Sequence, residues 1–207
     1  MSFVIFDTEY TSWKGCQENG WKGKQKKEIV QIAALKVSDE LRTVGEFNAL
    51  CQPEINPVLS DYFVNLTGIT NEQIKKYGKT FAEVYQKFEK FAGEDVCYSF
   101  GWGRDYFSKS DGAILEENFS LYHINVHKNL VYRNIADIFK RLYIENNMAV
   151  EMQCSGEVAK FLEIDETIGN MSLKAHNALY DVHSLVAGLR YFYPRSFELM
   201  KFLEDKA

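Results

Sequence analysis

The chain has 207 residues, 46% of them hydrophobic and 14% aromatic, with a formal net charge of −5. That length fits one domain over residues 1–207 with a full core, and the apolar content excludes a disordered polymer. The acidic balance argues against a nucleic-acid coat protein, which would be basic, but not against an enzyme that grips a few nucleotides through bound cations.

In chain order, the apolar run FVIF (3–6) predicts a buried strand whose end presents Asp7 and Glu9. IVQIAALKV (29–37) and VGEFNALCQP (44–53) predict two more strands, joined by a turn short enough for an antiparallel hairpin. After Pro53 and Pro57 the pattern turns helical, through LSDYFVNLTGIT and NEQIKKYG to FAEVYQKFEKFAG (81–93), whose apolar positions 81, 84, 85, 88 and 91 make one face ended by Gly93. DVCYSF (95–100) reads as a strand, 102–118 as a helix and LVYRNI (130–135) as a short strand. IADIFKRLYIEN, SGEVAKFLEI and a closing HNALYDVHSLVAGLRYFY read as helices. Three strands followed by alternating helix and strand predict an α/β protein, a mixed sheet with helices packed on it.

No apolar run reaches the ~20 residues needed to cross a bilayer, and the N-terminus lacks the basic flank of a signal peptide. Cys16, Cys51, Cys97 and Cys154 are scattered, with no CxxC pair. Reduced thiols in a cytoplasmic protein are the simplest reading.

Four acids and one histidine carry the chemistry. Asp7 and Glu9, two apart on a strand, point to one face, where they repel unless a cation lies between them; alone, the pair also reads as a polar strand edge. Asp105 follows Gly101-Trp102-Gly103 at a strand exit, where ligands of α/β sheets gather. His176 and Asp181 are five apart, about 140° around a helix, so they cannot share a site if both are mid-helix. The conflict disappears if His176 precedes the helix, with Asn177 near its cap and Asp181 one turn inside. Separately, residues 13–27 hold five lysines, two tryptophans and one glutamate, which suits single-stranded nucleic acid as well as it suits a solvated loop. His123 and His127 have the spacing of a zinc half-site, but no cysteine pair completes it, so plain surface or core histidines are favoured. His183 has no assigned role.

With these motifs together, the chain resembles the DEDDh branch of the 3′–5′ exonucleases. D-x-E matches Asp7-Thr8-Glu9, the second motif keeps Asp105 but has Gly101 in place of Asn, and H-x4-D matches His176 and Asp181. The stretch QPEINPVLSDYFVNLTGITNEQI (52–74) looks especially like the branch that trims RNA 3′ ends in histone-mRNA turnover and small-RNA control. The resemblance implies a ribonuclease-H-like mixed five-stranded sheet with helices on both faces. It implies two Mg²⁺ or Mn²⁺ ions on Asp7, Glu9, Asp105 and Asp181, and His176 as the base toward the attacking water. An imidazole, ordinarily with a pKa of ~6.5, suits that task. It also implies backbone near Thr8 and Glu9 at the terminal 3′-hydroxyl, and Tyr10, Leu66 and Thr67 beside the last base and sugar. The expected partner is a single-stranded RNA or DNA 3′ end; a homodimer is left open because several relatives are dimers. Two other readings stand beside the exonuclease: a catalytically silent nucleic-acid-binding or regulatory protein of the same fold, and a metal phosphohydrolase of small molecules.

Overall fold

In the computed structural model the described residues are 2–101, 110–125, 130–150, 154–168 and 173–204. A five-stranded sheet runs in the order β3-β2-β1-β4-β5, with β1 Ser2–Tyr10, β2 Ile29–Ser38, β3 Thr43–Leu50, β4 Cys97–Ser99 and β5 Tyr132–Asn134. The first three strands pair antiparallel, while β1 with β4 and β4 with β5 are parallel. This is the expected mixed five-stranded α/β sheet.

Strand alternation sends two sets of side chains to two cores. Phe3 and Ile5 of β1, with Ala33 and Leu35 of β2, pack against α6 Ala136–Glu145, α8 Ala178–Phe192 and α9 Phe197–Glu204. Val4 and Phe6, with Ile32 and Ala34, pack against α4 Phe81–Ala92 and α5 Asp111–Leu121. Central β1 is therefore apolar without alternation. The single-turn α1 Cys16–Asn19 lies between β1 and β2, and helices α2 Asp61–Thr67 and α3 Asn71–Tyr77 build a smaller cluster around Leu59, Phe63, Ile69 and Ile74. α3 and α4 both start with a threonine capping box, Thr70/Gln73 and Thr80/Glu83.

The strand begun by FVIF runs on to Tyr10, so Asp7 and Glu9 lie on β1 near its end, as expected. SGEVAKFLEI is a 3-10 turn, Ser155–Glu157, leading into the one-turn helix α7 Val158–Phe161. α9 is an addition, set beyond a turn at Tyr193-Pro194 and packed on α6. Of the helix expected over 102–118, the described part is α5.

β4 is short, and its pairing with β1 ends at Ile5–Tyr98. Among the described residues no strand pairs with β1 on that side past this point, at the carboxyl ends of both strands, the position where α/β sheets place ligands.

Candidate active site

The open β1 edge is filled by acids from three elements. Asp7 and Glu9 share the β1 face of Phe3 and Ile5, which is the face covered by α8. Asp181 comes from the first turn of α8. One carboxylate oxygen from each of the three lies within 4.8 Å of the others. The fourth acid is Asp111, in the first turn of α5, where Ser110 caps the helix by accepting from the Ala113 amide. Asp111 Oδ1 accepts from the Thr8 backbone N–H at 2.9 Å and from the Thr8 hydroxyl at 2.6 Å. That N–H lies beyond the last β4 pair, so the carboxylate satisfies a donor the ladder leaves behind.

The start of α8 is set from below by Gln31 of β2. Its side-chain oxygen accepts from the Ala178 amide at 3.0 Å, and its amide donates to Asn48 at 2.9 Å and Asn177 at 3.4 Å. Asn177 is the N-cap, accepting from the Leu179 amide, and its amide reaches the Thr67 carbonyl. His176 precedes the helix with φ of 68°, a left-handed conformation uncommon for a residue with a Cβ. Its backbone N–H donates to Asp181 Oδ1 at 3.2 Å, which ties the strained residue to the acid. His176 thus precedes the helix and Asp181 lies one turn inside it, as their spacing requires; the imidazole is exposed and the carboxylate buried.

Ser155 and Gly156 back the acids. The Ser155 hydroxyl lies 3.2 Å from Asp7 Oδ1 and 3.0 Å from Asp181 Oδ2, and its single proton links the two carboxylates. At Gly156 a Cβ would collide with the Asp181 carboxylate and stand 2.9 Å from the Ala175 Cα, so only glycine lets this turn approach.

Burial raises all four acids, and repulsion from neighbouring carboxylates adds to it at Asp7, Glu9 and Asp181. Asp7 is held well above the usual carboxylate range by burial and by Asp111, Asp181 and Glu9, against a lowering hydrogen bond from Ser155. Glu9 is raised by burial and by Asp181 and Asp111. Asp111 is pushed up to about 6 by burial despite the Thr8 bonds, and Asp181 to about 7 by burial despite Ser155 and the His176 amide. Such a cluster favours a compensating cation, and an all-oxygen donor set fits Mg²⁺ or Mn²⁺.

The acids and His176 line one side of an open pocket of about 420 Å³. Tyr10, Tyr62, Leu66 and Phe100 supply aromatic and apolar wall, and Ser12 and Gln17 complete its lining beside Tyr10. Of the residues expected at a substrate, Tyr10 and Leu66 line it. Thr8 also reaches it, but its N–H and hydroxyl are committed to Asp111. Thr67 does not line it: its hydroxyl donates to the Phe63 carbonyl inside α2. Asp105, Trp102, Gly103 and His127 lie outside the described residues. Gly101 is held by Asn134 of β5, which accepts from its N–H at 3.2 Å and donates to its carbonyl at 2.7 Å. His183 bonds Glu46 of β3 at 3.1 Å, away from the pocket.

Sequence reasoning passed over Asp111, Ser155, Gly156, Gln31 and Tyr62. A Ser-Asp step at a helix start was the available signal for Asp111; a lone serine and glycine between helices gave none for the turn.

Residues 4–103 match the exonuclease family RNase_T. The match takes in Asp7 and Glu9, while Asp111, His176 and Asp181 join them through the fold. The nuclease domain of 3′hExo, a DEDDh family member bound to rAMP, aligns with a TM-score of 0.71 and 19% identity, covering 95% of this chain and 94% of that one. Cell-death related nuclease 4 aligns at 0.67 and 19%, covering 94% and 64%. E. coli exonuclease I in complex with single-stranded DNA aligns at 0.67 and 16%, covering 99% and 43%. The chain thus spans about two thirds of nuclease 4 and less than half of exonuclease I. No curated protein sequence matches it significantly. The family match covers just under half of the chain, and the aligned nuclease structures share its fold. No described helix is long and apolar enough to cross a membrane.

Proposed function

We propose that the protein is a metal-dependent 3′–5′ exonuclease that releases 5′-mononucleotides from single-stranded RNA or DNA. The observation that carries this reading is the meeting of Asp7, Glu9 and Asp181 within 4.8 Å, beside an exposed His176, in a domain of exonuclease type. Asp7, Glu9 and Asp181 would hold two divalent ions, with Asp111 as the fourth acid. Asp105, which has the motif position, is the alternative for that place.

When bound, the ions supply Lewis-acid stabilisation of the phosphate and a more acidic water. The chain's own groups do the rest. An imidazole nitrogen of His176 takes the proton of the attacking water, and exposure at the pocket rim lets it return that proton to solvent. Asp181, which bonds the His176 backbone, fixes where that ring starts from. Ser155 and Thr8 keep the carboxylates aimed at the pocket. Tyr10, Tyr62, Leu66 and Phe100 line the pocket with flat and apolar surface that would take a terminal base, and backbone near Thr8 and Glu9 would meet the sugar hydroxyl.

The test is a time course on an oligonucleotide labelled at its 5′ end, with Mn²⁺. Stepwise shortening with 5′-mononucleotide release is expected, and a 3′-phosphate should block it by placing a second dianion against Glu9. Hydrolysis of a simple phosphodiester but no oligonucleotide would favour the small-molecule reading, and binding without hydrolysis the silent one.

A further inference from the structure

Residues 13–27 carry five lysines against one glutamate, a net of +4 in a chain whose total is −5, so the remaining residues carry −9. A local concentration of positive charge on an acidic protein is the electrostatic footprint of a surface that takes an anionic partner. The loop is also built, not trailing. The Thr11 hydroxyl donates to the Lys26 carbonyl and accepts from the Glu28 amide. The Lys26 amide donates to Asn56 at 3.0 Å, and Asn56 returns a bond to the Lys24 carbonyl at 3.3 Å. The next segment is fixed in turn by Glu28, fully buried, whose carboxylate accepts the consecutive amides of Glu54, Ile55 and Asn56 at 2.6 to 2.7 Å and the Tyr122 hydroxyl at 2.7 Å.

This fastening joins the loop to the pocket. Trp21 donates its ring N–H to the Thr11 carbonyl and packs against pocket residue Tyr10, with ring centroids 5.9 Å apart. Lys27 lies over Trp21 at 4.9 Å and pairs with Glu117 at 3.4 Å, whereas Lys22, Lys24 and Lys26 are exposed. Across Asn56 stand Ile55, Val58 and Tyr62, large apolar side chains exposed at 43%, 71% and 36%, and Tyr62 also lines the pocket. A basic stretch beside aromatic and apolar surface, continuous with a pocket for one nucleotide, has the makings of a single-strand track.

Building on the exonuclease reading, we infer that residues 13–27, with Ile55, Val58 and Tyr62, form a second binding surface for single-stranded nucleic acid. It holds the phosphates and bases upstream of the terminal nucleotide. Lys22, Lys24 and Lys26 neutralise phosphates, and the apolar side chains across Asn56 take base faces. Binding there is sequence-tolerant and salt-dependent, because backbone contacts carry no base information.

The test compares two triple variants of equal net charge: Lys22→Gln/Lys24→Gln/Lys26→Gln on the loop, and Lys75→Gln/Lys87→Gln/Lys90→Gln on α3 and α4. Probes are 5′-fluorescein oligouridylate and oligothymidylate, as dinucleotides and as ~16-mers that exceed the pocket, with a phosphorothioate at the last linkage. Anisotropy is read from ~50 to ~200 mM salt. The loop variant should bind ~16-mers about tenfold more weakly and lower the slope of log K against log salt by ~2, while the control moves neither. For the dinucleotide the two variants should agree. Equal slopes in the two variants, with wild-type protein still shortening oligonucleotides, would overturn the track and leave the exonuclease standing. A wild-type protein that neither binds these probes nor shortens their unmodified counterparts would bring down both.

Discussion

In the pocket, four carboxylates are packed together under cover, and next to it, in residues 13–27, lysines of like charge are spread over a solvated loop. The two regions concentrate charge by opposite means. The acids tolerate proximity because burial raises their proton affinity and Ser155, Thr8 and the His176 amide bond them, a state that a cation relieves. The lysines tolerate it because water screens them, and only the loop's backbone is fixed. On the proposed reading, the buried charge serves chemistry and the solvated charge serves capture. Variants that exchange these roles break the distinction.

The largest effect is expected from Asp7→Asn or Asp181→Asn, each of which should lower turnover of a labelled oligonucleotide by more than ~10²-fold while the fold persists. Near wild-type rates in either would remove the metal site. Asp111→Asn and Asp105→Asn, assayed side by side, sharpen the assignment of the fourth acid. A fall of ~10²-fold is expected for Asp111 and a much smaller one for Asp105; the reverse order would return the place to Asp105. His176→Gln should cost ~10²-fold and remove the rise of rate with pH that a general base gives. An unchanged pH profile would assign the base elsewhere.

Smaller effects come from the backing. Ser155→Ala, read as Mn²⁺ affinity by calorimetry, should weaken binding ~10-fold, the range for groups that orient metal ligands. Gly156→Ala should do at least as much, since its Cβ collides with Asp181. Unchanged affinity in both would leave the turn a packing feature.

The smallest effect is on stability without metal. Because Asp111 and Asp181 are raised in the folded chain, to about 6 and about 7, their share of stability is present below the ordinary carboxylate pKa and is lost as pH rises through the raised values. Metal-free protein should therefore melt lower at pH 7.5 than at pH 5.5, and Asp181→Asn should recover roughly 5 °C of that at the higher pH. Saturating Mn²⁺ should raise the wild-type midpoint most at pH 7.5. A midpoint independent of pH would mean the acids are not held together as described.

The sheet was legible because FVIF and IVQIAALKV are continuous apolar runs that bury on both faces, and α4 because its positions 81, 84, 85 and 88 bury on the helical period. Asp7 and Glu9 were legible for the same reason, and His176 and Asp181 because a helix start resolves their spacing. Asp111 was not, since its role depends on β4 stopping early and leaving the Thr8 amide unpaired, a tertiary fact. Ser155, Gly156 and Gln31 act through atoms more than twenty residues away, which local pattern cannot show. The Lys-rich loop read equally as solvent and as ligand surface; its ties to Tyr10 and Asn56 give the second reading its argument.

The most direct measurement is product analysis of a single strand labelled at its 5′ end, incubated with Mn²⁺ beside a closed circular strand of the same composition. A ladder shortening one nucleotide at a time from the 3′ end, with 5′-mononucleotides released and the circle intact, is the predicted result. Internal cuts, cleavage of the circle, or shortening from the 5′ end would contradict it.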